Sequence, residues 1–419
     1  MENIPTLLFF DESESKLSNA LFQRTDMNFI LLRTTKNLKY ITEKYSEKTK
    51  DYNVFVVDYD SPLHSEIQRF KTWLESINLY VTHFYNDSEY YQEFANAFAR
   101  GLGLPALTEE QIKWVRDKVD MKDKFNQIGL KTVDYQSVDS KEDVVNYFIS
   151  QNGKPIIVKP RRGMNSIETY KVESLDQIAD LPIQFKKGKY MVEEFCFDRE
   201  WSIESLVQDG IVLDSYVTYL PNPTIWASID NKMNCHMTCP RIPPHFNFSP
   251  KEFIQTIVTG MNLQNGVMTI EVFVDENGNV KASELGWRLP GCQATLNHSL
   301  SFGFDMYNSL LDIAIGKKVK LQYRYPICSV GDLYLPNKEG LITTLTSLEE
   351  LKMMDGVIGG EMFTNVGEYQ TKRRVGNDAS GWVQVLGRTT EETEAKMQKI
   401  FDDFKIEVKK GYVKKYEKK

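Results

Sequence analysis

Residues 266–288 read GVMTIEVFVDENGNVKASELGWR. Apolar residues crowd both sides of Asn277-Gly278, a dipeptide that favours a two-residue hairpin turn. Partners across such a hairpin have position numbers that sum to a constant, here 555, and Glu271 and Glu284 satisfy that sum. The two carboxylates are therefore expected opposite each other on one face. Like charges directly opposed destabilise a sheet. A divalent cation between them removes the penalty, and Mg²⁺ takes one or two carboxylates together with phosphate oxygens and water. A solvated acidic face, or a register slipped by a bulge, is the plainer alternative. Arg288 lies four residues beyond Glu284 and shares its strand parity, so it is expected on the same face. There a guanidinium stabilises charge on a transferring phosphoryl group. Its plain alternative is a salt bridge to one of the two glutamates.

The rest of the chain bounds what this hairpin serves. The 419 residues allow two or three domains, and 41% hydrophobic with 26% charged residues is ordinary for a globular protein. A net charge of −7 argues against a general nucleic-acid binder. The Lys-rich end (Lys409, Lys410, Lys414, Lys415, Lys418 and Lys419) reads as a solvated tail. No apolar run reaches 18 residues, so no membrane span is expected, and the opening residues lack the layout of a signal peptide. Five cysteines make no disulfide framework, and a reducing cytoplasm is the expected location. Cys235 and Cys239 lie close in sequence, but no second close pair accompanies them, so no zinc site is read there.

Leu7–Phe10, Phe29–Leu32 and Val54–Val57 alternate with helix-capable stretches, the pattern of a small parallel βα layer. No Gly-rich turn follows the first strand, so no dinucleotide site is read there. A helix over Tyr90–Leu102 ends near Gly101 and Gly103, marking a domain boundary. Thr108 to Gln111 reads as a capping box opening one helix over Glu109–Ile128 that carries Lys118 and is stopped by Gly129. The strand before Lys159-Pro160 leads into the polar loop Arg161–Ser166. Its backbone N–H groups and Ser166 can donate to phosphates, with Lys159 supplying charge. A plain basic turn is the alternative, and the loop lacks the Gly-Lys-Ser/Thr ending of a Walker A motif. Glu193-Glu194-Phe195-Cys196 ends a strand before a turn, where free backbone groups can pair with an adenine edge. Glu200 can accept from ribose hydroxyls. Surface acid on a sheet edge is the alternative for these residues.

Lys118, Lys159, Glu193-Glu194-Phe195-Cys196, Glu200, Glu271 and Glu284-x-x-x-Arg288, in this order, resemble the ATP-grasp superfamily. The resemblance covers about residues 1–320. It implies an α/β (α+β) chain with a Rossmann-like N-terminal domain (1–107), a small lid (108–192), a large antiparallel-sheet domain (193–320) and a C-terminal α/β extension (321–419). It further implies that Lys118 and Lys159 contact ATP phosphates and that the loop at Ser166 closes over them. Glu193, Glu194 and Cys196 then hold adenine, Glu200 holds ribose, Glu271 and Glu284 bind Mg²⁺ or Mn²⁺, and Arg288 faces the reacting phosphate. Many members carry Asn where this chain has Gly286. That departure is shared in kind by the L-amino acid ligases, whose bacilysin-type members the stretch from Gly101 to Lys118 also resembles.

The implied activity is ATP-dependent joining of a small-molecule carboxylate to an amine through an acyl phosphate, with the lid hinged near Lys131 and Glu193. A carrier-protein thiol or other natural-product acceptor, or nucleotide binding without catalysis, stays open. Homodimerisation is common in the superfamily. Gly291 is a candidate to hold the acyl group, His236 and Arg241 to reach phosphate or substrate carboxylate, and Asn297 and His298 to face the acceptor. For His298 a buried structural role is the plainer reading.

Overall fold

The computed structural model describes residues 4–12, 14–222, 232–325, 327–371 and 378–410. The tail lysines 414, 415, 418 and 419 lie outside the described residues. The chain opens with a four-stranded parallel sheet whose spatial order is Asn53–Val57, Asn28–Thr34, Thr6–Phe10, His83–Asn86. Its first strand is buried on both faces. Leu7 and Phe9 join one core while Leu8 and Phe10 join another, as period-two alternation between two covering layers requires. The fourth strand, of mixed aromatic and polar sequence, was not among the expected ones.

Residues 135–194 form an antiparallel sheet ordered Tyr135–Val138, Tyr190–Glu194, Ile156–Pro160, Tyr170–Val172. With the helices Lys141–Ser150 and Leu175–Ala179 it encloses its own core, which includes Val144, Phe148, Val158 and Val192. The third layer is an eight-stranded antiparallel sheet. Its order is Val280–Gly286, Gly266–Val274, Arg199–Gln208, Ile211–Tyr219, Asn234–Thr238, Ser329–Tyr334, Gly381–Gly387, Val357–Met362. This one sheet takes five strands from residues 199–286 and three from residues 329–387. The helices Pro250–Gly260 and Thr390–Asp403 cover it.

Two local expectations are corrected. The helix expected over Glu109–Ile128 is two helices, Glu109–Arg116 and Lys118–Gln127, broken at Asp117 with φ −99° and ψ 113°. Asp117 caps the second helix by accepting from the N–H groups of Val119 and Asp120. It also pairs with Arg161 and Arg162 from the distant loop, which fixes the break. Both helices contribute to the core of the eight-stranded sheet through Val115, Met121 and Phe125, rather than to the core of residues 135–194.

The hairpin turn is also longer than two residues. Asp275 and Asn279 close a three-residue loop, with Gly278 at φ +78°. Near the turn the paired positions sum to 554, and a bulge between Glu271 and Val272 restores 555 beyond it. Glu271 therefore does pair with Glu284, through two irregularities that offset each other.

Candidate functional site

A cavity of about 320 Å³ lies between the two antiparallel sheets. Its floor is one face of the eight-stranded sheet. Strand register puts Glu284, Glu271, Ser202 and Thr218 side by side on that face. Thr218 pairs with Thr238 on the next strand, and two residues from it His236 shares that face and pairs directly with Asp332 on the strand beyond. The roof comes from Lys159, the loop through Ser166, and the segment Glu193–Cys196. The architecture thus gathers Lys118, Lys159, Ser166, Glu193, Glu194, Cys196, Glu200, His236, Glu271, Glu284, Arg288 and Gly291 around one space.

The charges are arranged in pairs. Lys118 opens its helix, donates to the Gly163 carbonyl at 3.1 Å and pairs with Glu284 at 2.9 Å. Lys159 pairs with Glu193 at 2.6 Å and lies 4.0 Å from Glu284. Burial alone pushes the Glu193 carboxyl up, but Lys159 and Lys122 outweigh it and hold the group down at about 2. Glu193 is thus turned toward two lysines. Lys122 is the deeper of the two, fully buried, and burial pulls its ammonium below the ordinary lysine range despite Glu193 at 3.4 Å. Glu284 is held below the usual carboxylate range because Lys118 and Lys159 overcome the cost of its surroundings.

Glu271 behaves oppositely. Its residue is exposed where it lines the cavity. Even so, the enclosing walls, and then the neighbouring Glu200 and Glu284, push its carboxyl up to about 8. Glu200 rises to about 7, chiefly through the same partial desolvation. Three acids in an all-oxygen cluster that resists full ionisation are the donor set a hard divalent cation relieves.

Arg288 does not pair with either hairpin glutamate. Its Nε donates to Glu89 at 2.9 Å and its Nη1 to the Leu289 carbonyl at 2.6 Å. Glu89, which also pairs with Arg116, comes from the loop after the fourth parallel strand and lines the cavity. Asp87 in that loop accepts from the Leu289 N–H at 2.7 Å. Sequence reasoning missed both acids. The signal was a run of acids at the carboxyl end of a parallel strand, where open α/β sheets build their sites. Gly286 borders this contact: a Cβ there would meet Glu89 Oε2 at 3.4 Å and Arg288 Cγ at 3.5 Å, ordinary packing distances.

The remaining candidates divide. Glu194 accepts from the Asp134 N–H, and the Cys196 thiol lies 3.4 Å from Asp198, its pKa raised to about 12 by burial. Ser166 sits exposed at the cavity rim with φ +55°. Arg241 is exposed in the loop after its strand and does not line the cavity. His298 is fully buried on the floor's own face of the sheet, held by Glu204 at 2.8 Å and Thr238 at 2.9 Å, and it does not line the cavity, so it braces floor side chains rather than facing an acceptor. Asn297 is likewise buried, donating to Asp332 at 2.6 Å.

No family model matches the chain. The L-arginine-specific L-amino acid ligase of Bacillus subtilis is 23% identical over 276 residues, covering 64% of this chain and 65% of that protein, just under two thirds of its length. Among solved structures, an L-amino acid ligase from Bacillus licheniformis superposes with a TM-score of 0.74 at 16% identity, covering 98% of this chain and 100% of that one. N5-carboxyaminoimidazole ribonucleotide synthetase from Thermotoga maritima gives 0.68 at 14%, covering 97% and 100%. Phosphoribosylglycinamide synthetase from Anaerococcus prevotii gives 0.66 at 16%, again covering 97% and 100%. At these identities the likeness is one of fold.

Proposed function

This chain has the ATP-grasp fold, and from that premise we propose that it is an ATP-dependent carboxylate–amine ligase with an amino acid among its substrates. The observation that carries the reading is the convergence of Glu271, Glu284, Lys118, Lys159 and Arg288 on one cavity between two sheets. The ligase names of the relatives support the amino-acid substrate.

In this reading Lys118 and Lys159 contact the nucleotide's phosphates, while the strand end at Glu194–Cys196 offers backbone groups to the base and Glu200 accepts from the ribose. Glu271 and Glu284 are the residues that would hold Mg²⁺ or Mn²⁺, which supplies charge compensation on the phosphates when bound. The substrate carboxylate attacks the terminal phosphoryl group, ADP leaves, and Arg288 offsets the charge that builds on the transferring group. The acyl group then passes from the acyl phosphate to an amine, and phosphate departs. The chain contributes position and charge. The roof excludes the water that would hydrolyse the intermediate.

The test is ADP release from ATP and Mg²⁺ with panels of single and paired amino acids, with hydroxylamine added in parallel to trap the acyl phosphate. Amino-acid-dependent ADP and a hydroxamate are expected. Neither product with any carboxylate overturns the reading.

A further inference from the structure

Cys292 lines the same cavity, half-buried, and its Sγ lies 3.8 Å from His236 Nε2. The other ring nitrogen, Nδ1, lies 3.1 Å from Asp332 Oδ2. Strand pairing sets this second contact, because His236 and Asp332 are direct partners across adjacent strands. Asp332 is fully buried and is itself oriented: Asn297 donates to its Oδ1 at 2.6 Å, and Gln384 donates to Asn297 at 2.8 Å. Cys292 has φ +60° on the turn leading into the helix Ala294–Phe302. A non-glycine residue in that region is costly unless its surroundings over-determine it.

Nucleophile, imidazole and orienting carboxylate are thus in sequence, each within contact of the next. The same three side chains fit a cation poorly. With Nδ1 committed to Asp332, His236 and Cys292 offer two ligands, where zinc takes three or four from the protein.

We propose that Cys292, His236 and Asp332 form a triad in which the Cys292 sulfur takes the acyl group from the acyl phosphate before the amine receives it. This rests on the ligase reading above. In the first step sulfur attacks the acyl carbon, the C–S bond forms and the C–O bond to phosphate breaks. His236 takes the thiol proton as sulfur attacks and passes it to the departing phosphate, leaving a neutral imidazole. In the second step the amine attacks the thioester, the C–N bond forms and the C–S bond breaks. The amine's surplus proton passes through His236 to the departing sulfur, restoring the thiol and the neutral imidazole. Asp332 is a positioning residue that fixes the tautomer of His236 in both steps.

Two measurements on the full chain test it. Iodoacetamide at pH 7, mapped by mass spectrometry, is expected to alkylate Cys292 at least about tenfold faster than Cys196, which shares the cavity. His236→Gln and Asp332→Asn are expected to slow that alkylation by about tenfold, a readout a scaffold role would not move. Acid quenching during turnover with ATP, Mg²⁺ and the amino-acid panel is expected to trap an aminoacyl mass on Cys292. In Cys292→Ala, amine-dependent product should fall at least about tenfold more than hydroxamate formation does. ADP release with no adduct, or product formation and hydroxamate falling together in Cys292→Ala, overturns the thiol role and leaves the ligase reading standing. No ADP and no hydroxamate with any carboxylate removes the ligase reading and the thiol role with it. Alkylation equal at Cys292 and Cys196 also counts against the triad.

Discussion

Replacing Glu193 by Gln removes the one carboxylate shared by Lys159 and Lys122 while keeping its shape. The size of the effect follows from the displaced titration. Glu193 sits at about 2 against an ordinary 4.5, and at about 1.4 kcal/mol for each tenfold change in proton affinity this difference amounts to about 3–4 kcal/mol. The side chain is only 8% exposed, so solvent screening takes little from that figure. Removing one member of a buried ion pair independently costs about 3–5 kcal/mol, because the partner charge is left uncompensated. The sign is fixed by the direction of the shift. A depressed carboxyl contributes stability above its unfolded value, and that stability is lost as pH falls from about 4.5 through 2. Urea unfolding of Glu193→Gln should therefore give a loss of about 3–4 kcal/mol at pH 7 that shrinks toward zero near pH 2. The lost partner also frees Lys159 to turn to Glu284, its remaining acid at 4.0 Å. Nucleotide affinity measured by titration calorimetry should fall as well. A loss under 1 kcal/mol, or one as large at pH 3 as at pH 7, refutes the reasoning.

Three further outcomes follow from the same geometry. Glu271→Gln and Glu284→Gln should each lower steady-state ADP release by at least about a hundredfold, and either variant keeping a third of wild-type turnover ends the metal-holding role. Because the raised Glu271 carboxyl keeps its proton up to about pH 8, cation binding at pH 7 must displace it. Calorimetry of Mg²⁺ with a non-hydrolysable ATP analogue, in two buffers of different ionisation enthalpy, should detect proton release at pH 7 and none at pH 9. The same raised pKa contributes stability fully below about pH 4.5, lost as pH rises through 8. Gly278→Ala meets the His245 carbonyl at 1.8 Å from a backbone at φ +78°. Thermal unfolding should report a loss greater than about 1–2 kcal/mol, and a melting temperature equal to wild type would falsify the need for glycine there.

How much of this was legible in the chain depends on sequence distance. Glu271 and Glu284 lie on two consecutive strands, so alternation and a nearby turn were enough to pair them. Even there the pairing was right because a three-residue loop and a bulge cancelled, which a residue count alone does not reveal. The parallel layer was readable from its apolar runs, since a strand buried on both faces carries its burial in its composition. The break at Asp117 was not readable. Capping residues nearby favoured the helix, and the competing partners, Arg161 and Arg162, arrive from more than forty residues away.

The local order of acids, lysines and Arg288 was written in the sequence, because each sits in or beside a strand or helix whose own residues specify it. The pairing of Arg288 with Glu89 joins positions 199 apart, and the line from Cys292 through His236 to Asp332 joins three separate elements. No period or turn in the chain encodes such contacts. They arise only when the eight-stranded sheet sets His236 beside Asp332 and the loop at Glu89 closes over the hairpin. Strand register and layer packing, which are properties of the whole folded chain, decide which charges meet.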